Sequence, residues 1–195
     1  MPKVTEAHRA ARRDEILDAA QRVFARDGYR SSSMSAIIRE SGLSVGAIYS
    51  YFDGKQALFR AVVERTLALR TAEIGGAAGS SPRSPAELVR SVLLSMRDKP
   101  VMTMAPQIWA EAAVEPDVRA VVERIFTQLG EMFRTELTAW AAQHPERAGD
   151  RPAEWSDRVT PVLISAIPGF LLQSQNITDF DEEAYLGALD DAYRV

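Results

Sequence analysis

The sequence predicts an all-α protein of about nine helices, with a small N-terminal head and a larger C-terminal body. Apolar residues recur at helical spacing along most of the 195 residues, and no run shows the sustained alternation of a β-strand. Glycine and proline stand where these apolar patterns stop or restart, as they do at helix ends. The clearest interruption is residues 75–85, GGAAGSSPRSP, which has almost no apolar bulk and is typical of a linker.

The head begins with a helix predicted from about Arg9 to Arg26, whose apolar residues repeat at i, i+1, i+4, i+7 and i+8. A later helix, from about Gly54 to Ala72, is long enough to leave the head and enter the body. We therefore predict two domains, residues 1–54 and residues 55–195, with this long helix as the connection between them.

The body is predicted to be helical throughout. Its expected segments are a helix from Pro85 that ends before Pro100, a short apolar segment at 101–113, a long helix from Pro116 to His144, a surface loop at 145–152, a helix from about Ala153 to Gln175 and a last one from about Asp181 to Tyr193.

Composition excludes several classes of protein. There is no cysteine, so disulfides, thiolate zinc sites and cysteine nucleophiles are ruled out. The first residues lack the apolar stretch of a secretory signal, and no apolar run is long enough to span a bilayer. We therefore expect a cytoplasmic protein that does not enter a membrane.

Charge is unevenly distributed along the chain. Residues 1–60 hold ten Lys and Arg against seven Asp and Glu, a net charge of +3, whereas residues 61–195 carry −7 of the total of −4. A basic head on an acidic body is consistent with a nucleic-acid partner for the head, although the asymmetry is modest.

Residues 33–55 are predicted to form two short helices joined by a tight turn, with a third helix starting at once. Ser33 and Ser44 are suited to cap the two helices, and Gly42 is suited to end the first one in the left-handed conformation. In the second helix, Ile48 and Phe52 share one face and are expected to point inward.

The opposite face of this second helix carries Gly46 and Ser50, with Ala47 and two tyrosines at its sides. Small residues at the tip and apolar anchors behind suit a helix that enters the major groove of DNA. We therefore predict a helix-turn-helix.

The same window resembles a known family. Residues at many fixed offsets match the N-terminal signature of the tetracycline-repressor (TetR/AcrR-type) transcriptional regulators: Ile37, Ser41-Gly42-Leu43-Ser44, Gly46, Ile48-Tyr49, Tyr51-Phe52, Lys55 and Leu58-Phe59. The resemblance covers roughly Arg12 to Phe59 and departs at Ala36 and Ile38, which changes helix packing rather than a DNA contact. It implies an all-helical homodimer whose head binds double-stranded operator DNA and whose body binds a small effector.

DNA contacts are predicted for ten residues. Val45 and Ala47 are candidates to pack on thymine methyl groups, Ser50 to bond to base edges, and Tyr49, Tyr51 and Lys55 mainly to bind phosphates. Ser33, Ser44 and Gly46 complete the set, and the resemblance adds Ser35. The alternative for the two tyrosines is that they only pack between helices.

The body contains more methionine and aromatic residues than a minimal bundle needs. Such residues are often ordinary core, but they also line adaptable pockets, and the resemblance favours a pocket for a largely apolar effector. The candidate pocket residues are Leu69, Val92, Met96, Met104, Trp109, Phe126, Phe133, Phe170 and Gln173. The resemblance also places a dimer interface on the last two helices, through Val159, Leu163, Ile167, Tyr185 and Leu189.

The sequence gives little support to an enzymatic function. Residues 42–46 match G-x-S-x-G, but the serine-hydrolase elbow requires a preceding strand and a catalytic histidine, and the only downstream histidine is His144 in a polar loop. We expect no catalytic residue, metal or cofactor. The sequence thus predicts a ligand-released homodimeric repressor, with an effector-binding or scaffolding protein as the alternative.

Overall fold

The computed structural model describes residues 6–75, 81–97 and 100–193, without the side chains of residues 67–75 and 100–102. This part of the chain contains ten α-helices and no β-strand, so the all-α prediction is confirmed. The helices are α1 Glu6–Asp27, α2 Met34–Ser41, α3 Val45–Tyr49, α4 Lys55–Gly75, α5 Pro85–Met96, α6 Pro100–Ala112, α7 Pro116–Gln143, α8 Pro145–Ala148, α9 Pro152–Asn176 and α10 Glu182–Ala192. The predicted linker at 75–85 lies partly outside the described residues.

One predicted loop is wrong. Residues 145–152 contain the single-turn helix α8. Pro145 stands at its first position, where the fixed φ of proline suits a helix and the missing N–H has no intrahelical partner to lose. Gly149 follows at φ 71° and ψ −165°, a backbone conformation that glycine adopts readily because it has no Cβ.

The chain forms two compact units whose boundaries fall inside helices. The first unit combines the residues up to Thr66 with Gln107–Val121, and the second combines Leu67–Pro106 with Val122–Val195. The first unit therefore extends further along α4 than the predicted domain 1–54. It also includes the end of α6 and the start of α7.

The core of the first unit is built on the apolar face of α1. Ile16, Leu17 and Phe24 are fully buried, as the periodicity predicted. The Phe24 ring meets the Phe59 ring edge-on with centroids 5.3 Å apart, and Tyr29 packs on the same Phe59 ring at 4.2 Å. This aromatic cluster joins α1, the segment after it and α4.

Helix α2 is joined to α1 by an ion-pair cluster at their ends. Glu40 accepts hydrogen bonds from Arg22 Nε at 2.8 Å and from Arg26 Nη1 at 3.1 Å. These two guanidinium groups lower the pKa of the Glu40 carboxyl below its ordinary value of 4.5.

The second unit packs α5 against α9 and α10, and α7 against α9. Arg90 Nη2 donates to Asp190 Oδ2 at 2.7 Å and to the Leu186 carbonyl at 2.9 Å, which joins α5 to α10. Helices α7 and α9 come close at Gly130, where an added Cβ would lie 4.0 Å from Ile164 Cδ1. Within the described residues, no helix is both long and apolar enough to cross a membrane.

The stability of the first unit should depend on pH through Glu40. Since the folded pKa of Glu40 is lowered, its ion pairs favour folding above pH 4.5, and this contribution is lost as the pH falls through the folded pKa. Glu40→Gln should therefore have a lower free energy of unfolding than the wild type at neutral pH. Below pH 4.5, the free energies of the two proteins, measured by urea unfolding, should become equal.

Glu15→Gln is the matched control, because Glu15 forms an exposed pair with Arg12 inside its own helix and joins no second element. At neutral pH, its effect on the free energy of unfolding should be smaller than that of Glu40→Gln. If the difference in free energy of unfolding between Glu40→Gln and the wild type stayed constant with pH, the pH dependence would not come from the Glu40 carboxyl.

Candidate nucleic-acid interface

The two short helices α2 and α3 have the caps that the sequence predicted. Ser33 Oγ accepts a hydrogen bond from the Ala36 amide, and Ser44 Oγ accepts one from the Ala47 amide, both at 3.2 Å. Gly42 ends α2 at φ 68°. These local interactions fix the tight turn between the helices, so the chain has the geometry of a helix-turn-helix.

Helix α3 presents one face to solvent and one to the core. Val45 and Tyr49 have 56% and 46% of their surface exposed, whereas Ile48 is fully buried. Gly46 and Ser50 are also exposed, as the sequence predicted for its outer face. Val45 and Ser50, predicted to contact bases, and Tyr49, predicted mainly to bind a phosphate, therefore lie on a surface that a duplex can reach.

The remaining candidates on this surface differ in accessibility. Ser33, Ser35 and Ser44 are exposed, while Ala47 and Tyr51 are half-buried. The contacts that these side chains make with DNA stay predictions. Ser50, exposed on the same face, donates its hydroxyl hydrogen to the Ala47 carbonyl at 2.7 Å, so in the DNA-free protein its oxygen is available as an acceptor.

Lys55 has partners that the sequence did not suggest. Its Nζ donates to the carbonyl oxygens of Tyr29, Arg30 and Ser32 at 2.9, 3.3 and 3.0 Å. The ammonium also lies 4.6 Å from the centroid of the Tyr29 ring. An ammonium has three N–H donors, and these three carbonyls use all of them. A phosphate contact through Lys55 stays a prediction, and it requires one of these bonds to open.

Several other cations of the first unit are paired with acids. Arg12, Arg30 and Arg60 form ion pairs with Glu15, Glu111 and Asp117, respectively. Such pairs reduce the positive charge that is available to a nucleic acid.

Arg39 is a candidate that sequence reasoning missed. It is exposed on α2, one turn after Ser35 on the same helix face, and has no ion-pair partner among the described residues. The i, i+4 spacing from Ser35 could have revealed it. On α1, the guanidinium of Arg13 lies 5.4 Å from the centroid of the Phe52 ring, so Arg13 is stacked on the residue that anchors the end of the helix-turn-helix.

The loop between α1 and α2, residues 28–33, is bound by a distant segment of the same unit. Gln107 Oε1 accepts the Tyr29 amide hydrogen at 2.9 Å, and Gln107 Nε2 donates to the Phe24 carbonyl at 3.4 Å. One turn later on α6, Glu111 accepts from Arg30 Nε at 3.2 Å. No local pattern marks these residues, because their partners lie about 80 positions away in the chain.

The predicted pocket residues are only partly brought together. Those that are buried in the second unit are Val92, Met96, Met104, Phe133 and Phe170. Phe126 and Gln173 are exposed on α7 and α9, so neither faces the interior of the described protomer. Trp109 is half-buried and belongs to the first unit, and the Leu69 side chain lies outside the described residues.

A cavity of about 320 Å³ lies elsewhere in the second unit. Its walls include Trp140 and His144 from the end of α7, and Asp190 and Tyr193 from the end of α10. The Trp140 and His144 rings are stacked, with centroids 4.3 Å apart. None of the predicted pocket residues lines this cavity.

The predicted dimer residues require a correction. Leu163, Ile167 and Leu189 have 2%, 5% and 4% of their surface exposed in the single chain, so they pack in the core of their own unit and leave almost no surface for a partner. Val159 and Tyr185 are half-buried. Directly before Leu163, Val162 faces outward instead.

On the outward face of α9, Val162 is 60% exposed and Leu172 is 45% exposed. An ideal Cβ added at Gly169 on this helix, or at Gly187 on α10, would meet no atom within 4 Å. The two helices therefore have room for close contact with another surface.

Comparison with known proteins points to one family. Residues 16–62 match the model of bacterial regulatory proteins of the tetR family. A transcriptional repressor of the HTH type from Mycobacterium tuberculosis is 48% identical over 62 residues, which are 32% of this chain and 33% of that protein. The chain thus spans about a third of the length of the curated relatives it matches.

Solved structures show the same fold over nearly the whole chain. Salmonella enterica GusR has a TM-score of 0.76 at 21% identity, with 98% of this chain and 97% of that chain covered. A transcriptional regulator from Saccharomonospora viridis, solved in complex with choline, has a TM-score of 0.77 at 18% identity, with 93% and 95% covered.

Lys55 should contribute to stability. Lys55→Met removes the donor from three carbonyls, so we expect the free energy of unfolding to fall by about 1–3 kcal/mol. The control is Arg60→Met on the same helix, which breaks an exposed pair with Asp117 and should cost about 0–1 kcal/mol. Chemical denaturation measures both. If Lys55→Met were as stable as the wild type, the ammonium would be free to act as the phosphate ligand that the sequence predicted.

Proposed function

We propose, from the premise that this chain belongs to the tetR family of bacterial regulatory proteins, that it is a DNA-binding transcriptional regulator controlled by a small effector. The observation that carries the proposal is helix α3. It is capped at its start, anchored by the buried Ile48 and exposes Val45 and Tyr49. A short helix fixed in this way can enter a major groove without rearranging.

In the proposed complex, α3 reads bases and its surroundings bind the backbone. Val45 packs on thymine methyl groups, and the Ser50 oxygen accepts from a base donor. Phosphates are bound by the exposed hydroxyls at the start of α2 and by Arg39. Since few side chains of α3 can read base edges, part of the specificity comes from the shape and flexibility of the duplex.

The proposed functional form is a homodimer joined through α9 and α10. Its contact surface is the outward face that carries Val162, Gly169 and Leu172 on α9 and Gly187 on α10. Large exposed apolar residues next to glycines allow helices to approach closely and bury area. A twofold axis would place two copies of α3 on half-sites about 34–36 Å apart, or a multiple of that distance.

The proposed effector is small and largely apolar, and it binds in the second unit. Support comes from the buried methionine and aromatic residues Met96, Met104, Phe133 and Phe170, which adapt well to apolar ligands. The structure with choline shows that one protein of this fold binds a small molecule. An effector that prefers the protein conformation with low DNA affinity would release the operator, which makes the chain a repressor.

The first experiment is selection from a pool of random duplexes, followed by titration of the enriched sequence. We expect Tyr49→Ala to weaken binding to that sequence by about tenfold or more, since it removes a predicted hydrogen bond to a phosphate, and a hydrogen bond to a charged group contributes about 1.5–3 kcal/mol. Val114→Ala is the control: Val114 is 58% exposed in the same unit but lies on the turn before α7. The logarithm of the association constant should also fall linearly with the logarithm of the salt concentration.

If the purified chain enriched no sequence and bound no duplex at low salt, the proposed function as a DNA-binding regulator would be refuted. An effector-binding or scaffolding role would then remain.

The dimer has a test of its own. Val162→Arg places a charge on the outward face of α9, so light scattering should show a shift from dimer to monomer at unchanged helical content. Leu94→Arg is the control, because Leu94 is a 46% exposed apolar residue on α5 of the same unit. A dimer that persists in Val162→Arg and dissociates in Leu94→Arg would place the interface elsewhere.

A further inference from the structure

We propose that Gln107 is a positioning residue for the DNA-binding surface, because its carboxamide fixes the backbone of the α1–α2 loop from which α2 begins. The inference rests on the proposed function and deepens it. It assigns part of the DNA affinity to a residue on α6, a helix that does not belong to the helix-turn-helix.

The carboxamide of Gln107 binds two successive parts of the backbone. Its Nε2 donates to the Phe24 carbonyl in the last turn of α1, and its Oε1 accepts from the Tyr29 amide two residues after that helix ends. The Phe24 carbonyl already accepts from the Gly28 amide at 3.0 Å, so Gln107 is its second donor. The Tyr29 amide lies in the loop outside the helical ladder, and the Gln107 oxygen is the acceptor that satisfies it. One side chain therefore links the last turn of α1 to the loop that follows it.

The same loop is fixed from a second direction by Lys55. Its ammonium binds the carbonyls of Tyr29, Arg30 and Ser32, so the loop has donors to its carbonyls from α4 and an acceptor for its Tyr29 amide from α6. Ser33 follows directly and caps α2. A shift of the Gln107 side chain is thus passed to the first residue of the helix-turn-helix.

Gln107 stands at a weak point of α6. Pro106 precedes it inside the helix and has no N–H, so one backbone hydrogen bond of the helix is missing there. A helix bends most easily at such a point. The chain also passes from the second unit to the first between these two residues. Gln107 is therefore the first residue of α6 that belongs to the first unit, and it directly follows the gap in the helix's hydrogen bonds.

A second contact between α6 and the α1–α2 loop lies one helical turn later, at Glu111. Glu111 has only 8% of its side chain exposed and accepts from Arg30, whose side chain is 80% exposed. The buried carboxylate fixes one end of this pair, and the loop carries the other end. Two side chains of α6, Gln107 and Glu111, therefore contact the same loop.

The decisive variant is Gln107→Met, which keeps the length of the side chain and removes both hydrogen bonds. We expect the dissociation constant for the enriched duplex to rise about tenfold, equivalent to about 1.4 kcal/mol. The matched control is Gln56→Met. Gln56 Nε2 donates to Glu115 Oε2 at 2.7 Å, so it also contacts the segment after α6 but does not touch the loop. Its dissociation constant should stay within about twofold of the wild type.

Amide hydrogen exchange separates positioning from a general loss of stability. Without DNA, the Tyr29 amide should exchange faster in Gln107→Met than in the wild type, while the buried amides of α1 keep their protection. Gln56→Met should leave the Tyr29 amide unchanged. If the wild-type chain bound no duplex, the proposed function would fail, and this exchange measurement alone would decide whether Gln107 positions the loop.

In the conservative variant Gln107→Glu, lowering the pH should restore DNA affinity. Protonated Gln107→Glu carries one carbonyl acceptor and one hydroxyl donor, which reproduce the two bonds of the amide, whereas the ionised form has no donor for the Phe24 carbonyl. The ratio of the variant's dissociation constant to that of the wild type should therefore fall as the pH is lowered from about 7 towards about 4.

Three results would overturn the proposal. The first is that Gln107→Met binds the enriched duplex as tightly as the wild type. The second is that the Tyr29 amide exchanges at the same rate in Gln107→Met as in the wild type. The third is that Gln107→Met and Gln56→Met lose the same amount of DNA affinity. If Gln107→Met did not fold, as judged by its helical circular dichroism, the pH dependence of Gln107→Glu would decide in its place: a ratio that does not change with pH would refute the positioning role.

Discussion

The first unit depends on one constraint: the polar backbone of the α1–α2 loop has to be satisfied by side chains. Helices α2 and α3 have eight and five residues, well below the length of about 12–15 at which isolated helices become stable in water. They are held by caps, by the buried Ile37 and Ile48, and by the loop that orients α2. The three hydrogen bonds from Lys55 to its carbonyls restrain this loop and so help to position the pair of short helices.

Ion pairs limit how net charge can be used to locate a DNA-binding surface. The positive charge of the N-terminal segment includes Arg22 and Arg26, which surround Glu40 and join α1 to α2. Both guanidinium groups are therefore engaged with this carboxylate. Arg39 contributes the same formal charge but is exposed without an acidic partner among the described residues. The distribution of partners, more than the sum of charges, indicates where a phosphate can bind.

The sequence predicted those features that arise from interactions within a few residues. Both serine caps, the left-handed Gly42 and the inward face with Ile48 and Phe52 follow from local chemistry and helical periodicity. The partners of Lys55 and Gln107 could not be predicted, because hydrogen bonds to loop backbone across 23 to 83 positions leave no periodic signal.

Helix α9 shows a different limit of sequence reasoning. Its central residues are apolar on both sides, with Leu163 facing inward and Val162 facing outward. Periodicity identifies a helix there but does not distinguish its inner face from its outer one. The sequence therefore selected Leu163 for an interface when its neighbour is the exposed residue. Helix α8 was missed for a simpler reason, since a single turn is too short to show a period.

The two-sided character of α9 also affects a newly made chain. While Val162 and Leu172 remain uncovered, the folded protomer exposes apolar side chains that attract other unfolded or half-assembled chains. If a second copy covers them, assembly becomes part of the protein's thermodynamic stability, and the melting temperature rises with protein concentration. Each protomer would then remain open to aggregation and proteolysis until a second copy covers this face.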